Sequence, residues 1–134
     1  MTPDNVEANG ISCNLAGKTN AFAPEYSGSL SLEYFTELTE GYELKSGLDV
    51  IYKSDYYTNS DLNPFTQQEA YTKLNARVSL ININNDWQLS LLAKNLTDET
   101  TVNYSTDMAL AGPGFYAVWV EPGRSVSLQL SYQF

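Results

Sequence analysis

The sequence contains no histidine and a single cysteine, Cys13, in 134 residues. Without histidine, the commonest general base and the commonest transition-metal ligand are both missing. One cysteine excludes an internal disulfide framework and any multi-cysteine metal site. Basic residues are scarce as well: 7 Lys and Arg stand against 16 Asp and Glu, a net charge of −9. A nucleic-acid surface needs a basic footprint, so no nucleic-acid partner is expected. No apolar run approaches the roughly 20 residues of a membrane helix, and the first residues hold no signal-peptide core. A span built from strands is untouched by that test, because it needs alternation rather than a run.

What the chain does have is alternation and tyrosine. It is 43% hydrophobic and 13% aromatic with 10 Tyr, which argues against long disorder and suits one domain. Residues 1–25 read as loop, punctuated by Pro3, Gly10, Gly17 and Pro24. Apolar residues then recur every second position, as on one face of a strand. Tyr26, Leu30, Leu32 and Tyr34 do so in 26–36, and Tyr42, Leu44, Leu48, Val50 and Tyr52 in 42–53. Leu74, Ala76, Val78 and Leu80 continue the pattern, followed by Trp87, Leu89, Leu91 and Ala93. A last segment, about 115–134, is interrupted at Pro122-Gly123 and closes on Val126, Leu128, Leu130, Tyr132 and Phe134. Short turns at 39–41 and 84–86 alternate with a polar stretch, 55–70, and a long irregular one, 97–114. No segment has a helical period and no unit repeats. The expectation is all-β: an antiparallel meander of about five long strands.

Charge is distributed with a sharp rule. Glu33, Glu43, Lys45, Asp49, Lys53, Lys73, Arg77 and Lys94 all fall on the polar phase, and the apolar phase of the strand cores holds no charge. Lys or Arg on the lipid face of a barrel costs about 2–4 kcal/mol at mid-bilayer, which purges charge in this way. Tyr26, Tyr34, Tyr42, Tyr52, Trp87, Tyr132 and Phe134 lie near strand ends on the same phase, where interfacial girdles belong. A soluble sheet packed on a core also alternates, so a soluble β-sheet module binding a carbohydrate or a lipocalin-type ligand is the competing reading. Ile81 and Ile83 break the rule; a strand end at Leu80 or a bulge would account for them.

Motifs for chemistry are weak. AGKT at 16–19 lacks the glycine spacing of a phosphate loop. Asn95-Leu-Thr97 and Asn103-Tyr-Ser105 match glycosylation triplets that arise often by chance. Asp98, Glu99 and Asp107 lack the spacing of a calcium loop, and no carboxylate pair has the context of acid–base catalysis. No enzyme, metal or cofactor is expected. Tyr104, Phe115 and Trp119 are candidate ligand contacts in the loops, or simply loop packing.

The phrases WQLSLLAKNLTDET (87–100) and EPGRSVSLQLSYQF (121–134), with NLAGKTNAFAPEYSGSLSLEY (14–34) and LNARVSL (74–80) upstream, resemble the C-terminal barrel segment of a TonB-dependent outer-membrane receptor. The resemblance implies a 22-stranded transmembrane β-barrel with an N-terminal plug, of which 26–134 supplies the last strands and 1–25 an extracellular-type loop. It implies active uptake of a scarce substrate, such as siderophore-iron, cobalamin or a glycan, across the outer membrane of a Gram-negative bacterium. The expected partners are outer-membrane lipid and lipopolysaccharide, the barrel-assembly machinery, and the TonB complex through N-terminal parts absent from this sequence. Five strands do not close a lipid-spanning barrel, whose bacterial single-chain forms begin at eight, so the sequence is expected to be a fragment.

Within that resemblance, Val126, Leu128, Leu130, Tyr132 and Phe134 correspond to the terminal outer-membrane assembly signal. Short turns would face the periplasm, and 1–25, 55–70 and 97–114 the outside. Arg124 continues the apolar phase of the last strand about ten residues before Phe134, which places it near the outer rim. There it would meet a lipopolysaccharide phosphate or turn aside to a loop carboxylate.

Overall fold

The computed structural model describes residues 16–108, 110–112 and 114–133. Cys13 and Phe134 lie outside the described residues. The strands are β1 Ser27–Thr39, β2 Tyr42–Lys53, β3 Tyr56–Tyr57, β4 Gln67–Gln68, β5 Tyr71–Asn82, β6 Trp87–Lys94, β7 Val102–Asp107, β8 Tyr116–Val120 and β9 Ser125–Tyr132. The chain divides into two compact units. One, made from Gly28–Tyr52, Thr72–Glu99 and Pro122–Phe134, holds the long strands; the other is assembled from Met1–Ser27, Lys53–Tyr71 and Thr100–Glu121.

The long strands form one antiparallel sheet in the order β1-β2-β5-β6-β9, the expected five-stranded meander. The register keeps like with like. Leu89 faces Leu130, Leu91 faces Leu128 and Ala93 faces Val126, while Val78 and Leu80 oppose Leu91 and Leu89 on the other side. A slip of one residue would throw every one of these onto the polar face.

Both tight turns have a local cause. Glu40-Gly41 joins β1 to β2, and Gly41 takes φ +82°, a conformation open to glycine without steric cost. After β5, the Asn82 Oδ1 accepts from the backbone N–H groups of Asn84 and Asn85, both at 3.0 Å, the side-chain-mimics-backbone turn that asparagine favours.

Three expectations need correction here. β5 neither ends at Leu80 nor bulges: Ile81 pairs with Gln88 and Asn82 with Trp87 in unbroken register. Ile81 simply sits on the polar face. Phe35, Ile51 and Leu92 share that phase, so the restriction runs one way: charge is barred from the apolar face, but apolar groups are not barred from the other. β1 extends to Thr39, which makes Tyr34 the eighth of its thirteen residues rather than an end. Finally, 97–114 is not irregular throughout and 115–134 is not one segment, because β7 and β8 pair with each other in a separate two-stranded sheet.

The polar face of the long sheet is tied by side chains. Arg77 of β5 reaches Glu33 of β1 at 2.9 Å, crossing the intervening strand β2. Gly47 lies beneath that crossing: a Cβ there would stand 3.8 Å from the guanidinium. Ser31 donates to Asp49 at 2.7 Å, Ser79 and Ser90 share a buried hydroxyl pair at 2.8 Å, and the Lys45 ammonium sits 4.7 Å from the centre of the Phe35 ring.

The smaller unit is held differently. Asn63 caps a single 3-10 turn, Pro64–Thr66, by accepting from the Phe65 N–H at 3.1 Å. The Thr58 hydroxyl bonds the Thr66 carbonyl at 2.7 Å and the Ser105 hydroxyl at 2.8 Å, while the Ser105 N–H donates to the Thr58 carbonyl. Gln68 Oε1 accepts from the Val102 N–H at 2.7 Å, and Thr101 donates to Glu121 at 3.0 Å. These bonds join the 53–71 segment to the β7–β8 hairpin.

Candidate functional site

The apolar face of the long sheet is a surface rather than an interior. Leu30, Leu32, Leu48, Val78, Leu91, Val126, Leu128 and Leu130 are all exposed, Leu128 to 69%. Among the described residues only Tyr56, Leu62 and Tyr71 are buried hydrophobic groups, and all belong to the smaller unit. The closed core that a soluble module requires is therefore absent from the described residues. Contiguous apolar exposure on this scale marks a surface meant for something other than water. No charge interrupts it. Near its turn end, Tyr42 and Trp87 meet edge-on with centroids 6.2 Å apart, and Trp87 pairs with Tyr132 across β6 and β9.

Val126, Leu128, Leu130 and Tyr132 of the final strand all lie on this face, each more than 60% exposed. The fifth residue of that set, Phe134, lies outside the described residues.

Arg124, just before β9, is held at the exit of β6. Its backbone N–H donates to Asp98 Oδ1 at 3.0 Å, and its guanidinium stands 3.5 Å from Asp98 Oδ2, with both side chains more than half exposed. Asp98 can receive it because the 95–99 turn is already formed. Asn95 Oδ1 accepts from the Glu99 N–H at 3.0 Å, and Asn95 and Asp98 take φ +52° and +58°, in the left-handed region that Asn and Asp tolerate best. KNLTDE and EPGR, far apart in sequence, thus form two halves of one latch.

Of the three loop aromatics, two come together. Tyr104 and Trp119 have centroids 5.3 Å apart, with planes at 52°. Phe115 makes no ring contact with either among the described residues; its carbonyl accepts from the Met108 N–H at 2.9 Å. Phe22, which carries no sequence signal of its own, takes the third place, 6.2 Å from Tyr104 and nearly parallel to it at 9°. A separate pair, Phe65 and Tyr116, stands at 6.3 Å.

Tyr56 is a titratable group altered by its surroundings in this unit. Burial first, then the neighbouring Tyr71 phenol, pushes its pKa above the ordinary tyrosine value. Among the described residues no group of three or more metal-ligating side chains gathers. The Asn95 side chain is buried, bonded to the Glu99 carbonyl and N–H.

A family model described as TonB dependent receptor-like, beta-barrel matches residues 4–96. That span exceeds half of the 134 residues, and the chain belongs to this family. Its members are receptors and transporters of the Gram-negative outer membrane, not enzymes. β7, β8 and β9 lie beyond the matched span. No curated protein and no solved structure matches the chain.

Proposed function

We propose that residues 26–134 form part of the barrel wall of an outer-membrane receptor for active uptake of a scarce substrate: siderophore-iron, cobalamin or a glycan. The observation that carries this reading is the uncharged, solvent-facing apolar face shared by five strands, on a chain of the barrel family. That face meets membrane lipid, while the ion-paired face, with Glu33 and Arg77, lines the lumen. The Glu40-Gly41 turn and the turn after Asn82 face the periplasm; 1–25, 55–70 and 97–114 face the outside, and Tyr104, Phe115 and Trp119, from β7 to β8, contact substrate there. Arg124 lies at the outer rim, within reach of lipopolysaccharide phosphate. The last strand, through Val126, Leu128, Leu130, Tyr132 and Phe134, addresses the chain to the assembly machinery, and TonB acts through N-terminal parts of the receptor.

A pair of neighbouring charges tests the assignment of faces. Leu128 is central in β9, and Ser127 is on the opposite face. Leu128→Lys should cost about 2–4 kcal/mol of folding in phospholipid vesicles, the expense of an ammonium at mid-bilayer, while Ser127→Lys costs well under ~1 kcal/mol. Urea titration of the vesicle-inserted chain, followed by tryptophan emission, measures both. If Leu128→Lys folds as well as the parent, or folds better without lipid, the face is not lipid-facing.

A further inference from the structure

One part of the smaller unit inverts the usual burial pattern. Its fully buried side chains are hydroxyls, with Thr58, Thr101 and Ser105 at 1% exposure or less, and although Tyr56 and Tyr71 are buried in this unit, Phe22, Tyr104 and Trp119 stay in the open. Phe22 is 49% exposed, Tyr104 45% and Trp119 54%. A cluster made for packing would bury the rings and leave the hydroxyls outside. Here hydrogen bonds hold the base rigid, and the rings gain nothing from it.

Two backbone features bring the rings together. β7 and β8 shift register between Val102 and Tyr104; continued from Val102↔Val120, the pairing would set Tyr104 against Val118. The extra residue, Asn103, sets it against Trp119 instead, the re-aiming of a side chain that bulges commonly perform. Phe22 has φ +62°, a strained conformation for a bulky residue, held by its N–H donating to the Tyr57 carbonyl at 2.8 Å. Strain of this kind persists where the surroundings over-determine it, commonly at ligand sites.

The electrostatics narrow the ligand. Among its described residues the unit carries six carboxylates, Glu25, Asp55, Asp61, Glu69, Asp107 and Glu121, against Lys18 and Lys53. An anionic ligand is repelled by that balance. A compact cation favours rings closing around one point; these three follow one another at 6.2 and 5.3 Å instead. We infer that Phe22, Tyr104 and Trp119 are a stacking surface for an uncharged chain of rings, a neutral oligosaccharide whose C–H faces lie on successive aromatic faces. The inference rests on the outward placement of this unit proposed above and selects one substrate class for it.

Trp119 reports on its own site. With Trp87 replaced by Phe it is the sole tryptophan, since the sequence has two. The full 134-residue chain in detergent micelles would be titrated with maltohexaose, cellohexaose, xylohexaose and laminarihexaose, and with hexagalacturonate and spermine as anionic and cationic probes. At least one neutral hexasaccharide should shift Trp119 emission saturably and shield it from acrylamide. Tyr104→Leu and Phe22→Leu, which keep apolar bulk but lose the ring, should bind about tenfold more weakly. Phe22→Tyr and Phe65→Leu should bind as the parent does. The parent titration stands by itself should a Leu variant misfold: no response to any neutral sugar, or equal or tighter binding of hexagalacturonate or spermine, overturns the inference. So does undiminished binding by folded Leu variants. A chain that inserts into micelles yet ignores every neutral sugar refutes this inference alone; one that folds without detergent and binds them refutes the barrel reading and spares this one.

Discussion

Asp98 offers the sharpest test of how the last strand is joined to the sheet. It accepts the Arg124 backbone N–H at 3.0 Å and the guanidinium at 3.5 Å, with its own backbone at φ +58°. The backbone bond is worth about 1 kcal/mol net. The ion pair, long and more than half exposed, contributes between roughly 0 and 1 kcal/mol. The left-handed conformation adds about 1 kcal/mol to the cost of a residue with a Cβ and no local polar group, and nothing for glycine. Asp98→Asn keeps an acceptor and tolerates the conformation, so it should lose no more than ~0.5 kcal/mol. Asp98→Gly should lose about 1 kcal/mol, and Asp98→Ala about 2. Arg124→Ala retains the backbone N–H and should resemble the Asn variant. Urea unfolding in detergent micelles, followed by the shift between folded and unfolded bands on electrophoresis, ranks the four. If glycine proves as costly as alanine, the conformational argument fails. If Arg124→Ala matches Asp98→Ala, the guanidinium rather than the backbone carries the latch.

Phe134→Ser should reduce assembly of the chain into the outer membrane, whereas Gln133→Ser, on the opposite phase, should not; equal amounts of both in membrane fractions would remove the terminal signal. Gly41→Ala should destabilise by about 1–2 kcal/mol in the same urea assay, because a Cβ at φ +82° would also clash with the Asn84 amide nitrogen. Adding Asn84→Ala should restore only the steric part, and full recovery would show that the backbone is unstrained. Burial raises the Tyr56 pKa, so its contribution is complete below the unfolded value near 10 and is lost as pH rises through the higher folded value. Amide exchange in 53–71 should therefore accelerate above about pH 10 in the parent and less so in Tyr56→Phe; identical profiles would place the alkaline transition elsewhere.

The long strands were legible because each carries at least four apolar residues on one phase, and their turns hold Gly41 or an asparagine where such residues are needed. The smaller unit was not legible, for a physical reason. β3 and β4 are two residues each, too short for a period, and their partners are set by Thr58, Gln68 and Ser105 through bonds between distant segments. Polar residues in a polar loop give no sign that they will be buried. Tyr104 and Trp119 stood out as aromatics, but their pairing depends on one extra residue, Asn103, whose bulge has no sequence mark. Phe22 joins them only through the tertiary fold. Ile81 interrupts the alternation without ending the strand, because the polar phase also carries apolar side chains such as Phe35, Ile51 and Leu92.

The hydroxyl pair between Thr58 and Ser105 spans 47 residues, and most of the chain between them is the β5–β6 hairpin. Closing so long an excursion carries an entropic cost that the pair alone cannot offset, so it waits until β5 and β6 have zipped and shortened the gap. The order of events then follows from topology. The β5–β6 hairpin forms early, and the bond between Thr58 and Ser105 forms late. Pulse-labelling of amides during refolding would show protection at Ser79 and Ser90 preceding protection at Ser105.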